Sequence, residues 1–275
     1  MTDAALTDPA AMLARFDREV RQSLVPPQPG WLSQRVGPVI RVTAPPELVY
    51  GCYVEWSDLD EDTADEQIDA QVAYFADLGR RFEWKTYGYD RPADLPQRLE
   101  RAGFVAEDPE ALVIGSVDAV TAACAGAAVP TGIRVRTVNA DDDTTWAGIG
   151  RLHELVWGSV ATEWLDGLVG EVTANPDAIT VLAAEVDTTG EVVCAGWVRF
   201  HTGTAFASLW GGSTAPAYRG RGIYRTLVGR RAALAARGGF DFLQVDASPH
   251  SRPILQRLGL QVVSTTTRYV WTPTT

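Results

Sequence analysis

Lysine is almost absent from this chain: of 24 basic residues only Lys85 is one, which reads as codon bias and says little about partners. Cysteine is scarce too. Cys52, Cys124 and Cys194 lie far apart and form neither a disulfide framework nor a zinc set. There are three histidines; His153-Glu154 lacks the second histidine a metalloprotease motif needs, so no metal site is expected. No apolar run approaches the length that spans a bilayer, and Met1–Leu6 carries Asp3 and no basic residue, unlike a secretory leader. A cytoplasmic location, with no membrane partner, is the expectation. The net charge of −11 speaks against nonspecific nucleic-acid binding and suits cationic substrates such as amines.

What the chain does have is glycine placed between a strand and a helix. Thr214-Ala-Pro-Ala-Tyr-Arg219-Gly-Arg-Gly222-Ile-Tyr-Arg225 follows the apolar, β-prone Thr204–Trp210 and the pair Gly211-Gly212. Downstream, Ile223, Leu227 and Leu234 fall at near-helical spacing, and Gly238-Gly239 stops the helix. A strand turning through Arg-Gly-x-Gly into a helix points several free N–H groups at one spot, which attracts phosphate. Glycine there tolerates positive φ and lets a ligand reach the backbone. The third glycine of a dinucleotide fingerprint is replaced by Arg225, and the Gly-Lys-Ser/Thr of a P-loop is absent.

The stretch Arg219-Gly220-Arg221-Gly222-Ile223-Tyr224 resembles the acetyl-CoA signature Arg/Gln-x-x-Gly-x-Gly/Ala of the GCN5-related N-acetyltransferase (GNAT) superfamily. Tyr224 departs where Gly or Ala is usual. The lead-in Pro216-Ala217-Tyr218 and the later Ser251-Arg-Pro253-Ile-Leu-Gln-Arg-Leu-Gly259-Leu260 also look like the family, with Pro253 in a first helical turn and Gly259 as cap. The resemblance covers roughly residues 131–275.

Organisation follows from the breaks. The Ala/Gly-rich stretch around Val120–Gly132 reads as a linker (121–132) between a domain at 1–120 and one at 133–275. The second half reads as strand Ile133–Val138, helices after Asp141–Asp143 and over Thr162–Thr173, strands Ile179–Val186 and Val192–His201, the motif strand and helix, strand Phe240–Val245, a short helix, and a strand pair within Gln261–Thr272. The first half reads as a worn copy: helix from Asp8-Pro9 with Leu13, Phe16, Val20 and Leu24 on one side, strand Leu48–Trp56, helix Thr63–Leu78, strand Phe82–Tyr87, helix Ala93–Ala102. Leu99-Glu-Arg-Ala-Gly103-Phe104 can be laid over Leu255-Gln-Arg-Leu-Gly259-Leu260. The expected fold class is α/β: a GNAT-like mixed sheet flanked by helices, in two tandem domains.

Where the second half has Arg-Gly-Arg-Gly, the first has Ser57-Asp-Leu-Asp-Glu-Asp62, then Asp65 and Glu66. Carboxylates suit a helix N-terminus but repel a pyrophosphate. One CoA site per chain is therefore expected, in the second half.

The resemblance implies direct attack of a primary amine on the thioester of acetyl-CoA, which acts as co-substrate. The acceptor is a small molecule or, next, a protein amine; oligomeric state is unreadable. The backbone of Gly212, Ser213 and Thr214 would grip pantetheine and the acetyl carbonyl, and the amides of Arg219, Gly220, Arg221, Gly222, Ile223 and Tyr224 the pyrophosphate. Gly211-Gly212 reads either as a sheet-opening bulge or as a loop exit. The arginines read as added charge or as structural. The family's thiolate-protonating Tyr position is Leu255 here, and the position of a family Asn is Ser248. Asp246 at the end of a strand is a candidate base or a turn carboxylate. His250 is a candidate base or an exposed loop residue. Glu163, Trp164 and Trp210 are candidate acceptor contacts, with Glu163 equally a capping charge. His201 reads as a possible base or a turn residue. A non-catalytic acyl-CoA-binding or interaction module, and transfer of a longer acyl group, are the competing functions.

Overall fold

The computed structural model describes residues 7–48, 50–158 and 162–273, apart from the side chains of Thr162 and Glu163. In chain order the elements are α1 (Pro9–Phe16), running on as a π-helical turn Asp17–Arg21, then β1 (Leu32–Val36), β2 (Val39–Thr43), β3 (Tyr53–Ser57), α2 (Ala64–Asp77), β4 (Phe82–Tyr87), α3 (Leu95–Arg101), β5 (Val105–Ala106), β6 (Glu110–Ser116) and α4 (Val117–Cys124). They continue as β7 (Ile133–Thr137), α5 (Asp143–Trp157), α6 (Thr162–Ala174), β8 (Ile179–Val186), β9 (Val192–Phe200), β10 (Phe206–Thr214), a 3₁₀ turn Pro216–Tyr218, α7 (Ile223–Arg237), β11 (Phe242–Ala247), α8 (Arg252–Arg257) and β12 (Gln261–Trp271). Among the described residues, no helix is long and apolar enough to cross a membrane.

The chain divides into two compact units built from discontinuous segments. The first takes Ile114–Val245 and Ile254–Gln261; the second takes Pro9–Val113, Asp246–Pro253 and the chain from Val262 onward. The units therefore do not follow a cut at residues 121–132. Residues 117–124 at the head of that stretch are a capped helix, because Ser116 accepts the Ala119 N–H. The expected strand pair near the end is one eleven-residue strand, β12, which pairs antiparallel with β4 from Thr266↔Tyr87 to Trp271↔Phe82.

In the first unit the strands run β11-β10-β9-β8-β7, with β10 and β11 parallel and the rest antiparallel. The β8–β9 hairpin turns where Thr188-Thr189-Gly190 marks it, with Gly190 at φ 72°. Asp142 caps α5 by accepting the Thr145 N–H at 3.2 Å. Its apolar stripe (Trp146, Ile149, Leu152) packs with Leu168, Val181, Ala195 and Trp197 in one core. A second core cluster gathers Leu182, Ala184, Val193 and Cys194 with Ile223 and Leu227 of α7.

In the second unit the order is β1-β2-β3-β4-β12, with β3 and β4 parallel. The β1–β2 hairpin was not visible in the hydrophobic pattern because β1 is largely exposed. Phe75, Phe82, Trp84 and Phe104 centre the core, with Phe75 stacked on Phe82 at 4.2 Å. Leu24, expected on the apolar side of the first helix, lies beyond that helix and is exposed.

Both units repeat one helix ending. In α3 the N–H groups of Gly103 and Phe104 donate to the carbonyls of Glu100 and Leu99; after α8 those of Gly259 and Leu260 donate to Gln256 and Leu255. Gly103 at φ 91° and Gly259 at φ 94° take the left-handed turn each time. Both units also carry a parallel strand pair whose register is short: Tyr53↔Glu83 and Val54↔Trp84 in one, Phe206↔Phe242 to Ser208↔Gln244 in the other.

In the second unit the space past that short register is filled. Arg21, fully buried, donates from Nε to the Glu55 carbonyl at 3.3 Å and sits 3.8 Å over the Tyr87 ring and 4.6 Å over Trp56. Its Nη1 and Nη2 each lie 3.0 Å from an Asp90 carboxylate oxygen. Arg21→Ala strands the buried Asp90 carboxylate, so the urea-unfolding free energy should fall by about 3–5 kcal/mol. A loss below about 1 kcal/mol would mark the pair as an ordinary surface bridge.

Candidate functional site

The site starts with an interruption in β10. Trp210 pairs with Trp197, but the next partnered residue, Ser213, pairs with Ala195, so Gly211-Gly212 bulges opposite Gly196. Each glycine has its own physical reason. Gly211 sits at φ 61°, and a Cβ there would come within 1.7 Å of the Trp197 ring. A Cβ on Gly212 would meet Tyr224 Cε2 at 2.6 Å. The parallel register with β11 ends at Ser208↔Gln244, while β10 continues to Thr214. That leaves the bulge and the following backbone free of a strand partner on the β11 side.

The turn after β10 then presents amides. Arg219 Nε donates back to the Thr214 carbonyl at 3.1 Å, so this arginine closes the turn, and the Arg221 guanidinium lies 5.0 Å over the Tyr218 ring. Gly220 and Gly222 take φ 74° and 82°, and nothing lies within 4 Å of where a Cβ would stand on either. Gly222 is the N-cap of α7, with no side chain capping it. The first turn closes when Thr226 N–H donates to the Gly222 carbonyl at 3.0 Å. The amides of Ile223, Tyr224 and Arg225 precede that bond, and among the described residues none from Gly220 to Arg225 donates to a loop carbonyl. This is an open, positively polarised nest of amides, an arrangement that attracts anions.

Tyr224 does not cover it. Its half-buried ring turns toward β10, against Gly212. The Ser213 hydroxyl accepts the Trp157 indole N–H at 2.9 Å, and the Thr214 hydroxyl lies 3.1 Å from Cys194 Sγ. Both side chains are engaged within the fold.

On α5, α6 and β9 an aromatic band approaches the bulge. Trp164 stacks on His153 at 4.7 Å and lies 5.4 Å from Trp197; Trp157 follows, 6.5 Å from His153 and 56 % exposed. Burial lowers the His153 imidazole against the pull of Glu154. Trp210 is 38 % exposed, its N–H donated to Ser208 Oγ at 2.6 Å with the Arg199 guanidinium 5.0 Å over its ring. Arg199 is itself bound twice by Glu171, at 2.7 and 2.6 Å. His201 shares the Ser208 hydroxyl at 2.9 Å, which makes it a strand-end partner. Glu163 falls in the first turn of α6, and its side chain lies outside the described part of the structure.

The remaining sequence candidates belong to the second unit. Asp246 is not a free carboxylate: Lys85 Nζ lies 2.5 Å from its Oδ2, in a largely buried pair. Burial pulls the Lys85 ammonium down, but Asp246, Tyr87 and Glu55 together hold it above its usual range. The ion pair thus corrects the expectation of Asp246 as an available base. Ser248 forms a turn with Ser251, whose N–H it accepts at 3.3 Å, so it caps the approach to α8. His250 is exposed in that turn. Leu255, in the first unit, is fully buried, as Leu99 is in the second. Among the described residues no group of three or more His, Cys, Asp or Glu is placed to hold a metal ion.

Two groups escaped the sequence reading. Arg231 is buried on the strand-facing side of α7; its signal was an arginine four residues after Leu227 on the apolar stripe. Glu55 lies beside Lys85 and Asp246, and burial pushes its carboxyl up to about 7 against the pull of Lys85 and Arg21. That value lies above its unfolded 4.5, so the protonated form stabilises the fold. Its contribution is full below the unfolded value and is lost as pH rises through the folded one. From about pH 5.5 to about pH 8 the stability of the native chain should fall relative to Glu55→Gln, as read by parallel urea titrations; equal slopes would remove Glu55 from the balance.

No family model matches the chain, and no curated protein matches it. Solved structures do. A GCN5-related N-acetyltransferase from Kribbella flavida aligns over 100 % of this chain and 97 % of its own, with TM-score 0.64 and 15 % identity. A tandem GNAT protein from the clavulanic acid biosynthesis pathway aligns over 100 % and 97 %, with TM-score 0.59 and 12 % identity. A GCN5-related N-acetyltransferase from Sphaerobacter thermophilus aligns over 87 % and 82 %, with TM-score 0.55 and 14 % identity. At these identities the likeness is one of fold, and it extends over the full chain in the tandem arrangement.

Proposed function

We propose that this chain is an acetyl-CoA-dependent N-acetyltransferase with one working CoA site, acting on the primary amine of a small-molecule acceptor. The observation that carries the reading is the pairing of an open amide nest at the head of α7 with a bulged, half-unpaired β10 beside it. The amides of Gly220 to Tyr224 take the pyrophosphate, that of Arg219 being donated to the Pro216 carbonyl at 3.3 Å, and the backbone of Gly212 to Thr214 takes pantetheine and the acetyl carbonyl. Such fixed N–H donors stabilise an oxyanion without reorganising when it forms. Trp164 and Trp210 form the acceptor side, where aromatic faces suit a cationic amine. The enzyme holds amine and thioester together, and the amine must arrive deprotonated to attack. We place the protein in the cytoplasm, in keeping with three buried, unpaired cysteines.

The second unit takes no CoA in this reading. Its loop at the corresponding turn is acidic, Asp60 closes the turn before α2 by accepting the Asp62 and Thr63 N–H groups, and Arg21 fills the strand opening. One observation favours a second reading: with Leu255 buried in place of a tyrosine, the chain would bind acyl-CoA without turning it over.

Free-thiol release from acetyl-CoA with a panel of primary amines separates the two. Amine-dependent release that disappears in Gly222→Glu is expected, because the variant puts a side chain at φ 82° and a negative charge into the nest. Release unchanged by that substitution would overturn the placement of the pyrophosphate. Tight binding without release for any amine would favour the non-catalytic reading.

A further inference from the structure

Under the β10 bulge lies a buried cation with an unused donor. Arg231 is 1 % exposed. Its guanidinium lies against Gly196, where a Cβ would come within 2.9 Å of Nη1. Nε donates to the Leu227 carbonyl, and Nη1 donates to the carbonyls of Trp197 and Trp210, all at 3.2 Å. Nη2 has no acceptor among the described residues. An apolar side chain of similar volume would fill this place without the desolvation penalty of a guanidinium. Its presence fits a negative charge that arises there during turnover.

The group positioned to become that charge is the Tyr224 phenol, two turns earlier on the same helix face. Around the Cβ position of Gly212, Tyr224 places Cε2 at 2.6 Å and its hydroxyl oxygen at 3.2 Å, so the phenol borders the bulge itself. Burial keeps the phenol protonated, and Arg231 works in the opposite direction. Cys194 on β9 is the other titratable group acting on the pair; burial pushes its thiol up to about 11, so it is neutral near pH 7.

We propose that Tyr224 is the proton donor to the CoA sulfur, and that Arg231 is the positioning residue that holds the resulting phenolate. The inference rests on the acetyltransferase reading above. The amine nitrogen forms a bond to the acetyl carbon, and the tetrahedral adduct expels sulfur with the C–S electron pair. The Tyr224 O–H proton passes to that sulfur, giving CoA thiol. The phenolate, paired with Arg231, regains a proton from solvent, which has taken the one lost by the amine.

The test begins with Tyr224→Phe, which keeps the ring. With a working acceptor, kcat should fall about 100-fold or more, while the acetyl-CoA dissociation constant stays within about threefold. Unchanged kcat overturns the proposal. A readout free of turnover compares CoA with desulfo-CoA by calorimetry: the native chain should prefer CoA by about tenfold, and Tyr224→Phe should lose the preference. An equal preference in both proteins overturns the proposal even if no acceptor is found. Failure of the native chain to bind either ligand overturns the nest reading, and this one with it. Arg231→Met should move the alkaline ionisation of Tyr224 to higher pH, read as phenolate absorbance relative to the Tyr224→Phe protein. An unmoved midpoint overturns the role of Arg231.

Discussion

Trp197 occupies the space where a side chain on residue 211 would stand, and that single piece of packing sets the shape of β10. Because the indole lies there, the strand passes it only as glycine, at φ 61°, and the ladder with β9 skips from Trp210 to Ser213. From the other side Tyr224 presses on Gly212 in the same way. Between them, two aromatic rings hold a segment of backbone out of register. The Arg231 guanidinium binds the carbonyls of Trp197 and Trp210, one on each strand where their pairing stops. Downstream, the same strand reaches Thr214 in the position from which its carbonyl anchors Arg219, and the amide nest follows. Chemistry at the head of α7 thus depends on packing two residues deep in the strand before it.

The two units show how one plan carries opposite chemistry. Each has a short parallel register, a helix after the first of the two strands, and the same glycine-capped helix with a buried leucine about one turn back. In one unit the loop before the helix is Arg-Gly-Arg-Gly with open amides. In the other it is Asp-Leu-Asp-Glu-Asp, where Asp60 accepts the very N–H groups a phosphate would need. The strand opening differs as sharply: Arg21 fills one with a bidentate ion pair and stacked rings. The charge balance of each unit follows from these local substitutions, not from any change of fold.

Much of this was legible in the residues because it lies in local chemistry. The Gly-Gly pair, the two glycines of the nest, the aspartate cap of α5 and the Gly259 ending each mark a backbone state that few other residues adopt. Strands β4 and β8 were legible because both are bounded by turn residues. What escaped was decided by tertiary contact. Asp246 reads as a free carboxylate until Lys85, far away in the chain, is placed beside it. β12 reads as two strands because its middle residues are threonines with no apolar signature, yet it is one unbroken strand whose second half pairs with β4. Residues 121–124 look like linker in composition, yet a serine cap with packed Val117 and Val120 makes 117–124 a helix. The inward turn of Tyr224 could not be read from spacing at all, since it depends on a missing Cβ at Gly212.

Calorimetric titration of the protein with acetyl-CoA decides whether one nest per chain binds it. One molecule bound per chain is expected, with a micromolar dissociation constant, a binding free energy of about −8 kcal/mol. Two molecules per chain would mean that the acidic second unit also binds phosphate, and no binding would mean that the open amides at the head of α7 serve something else.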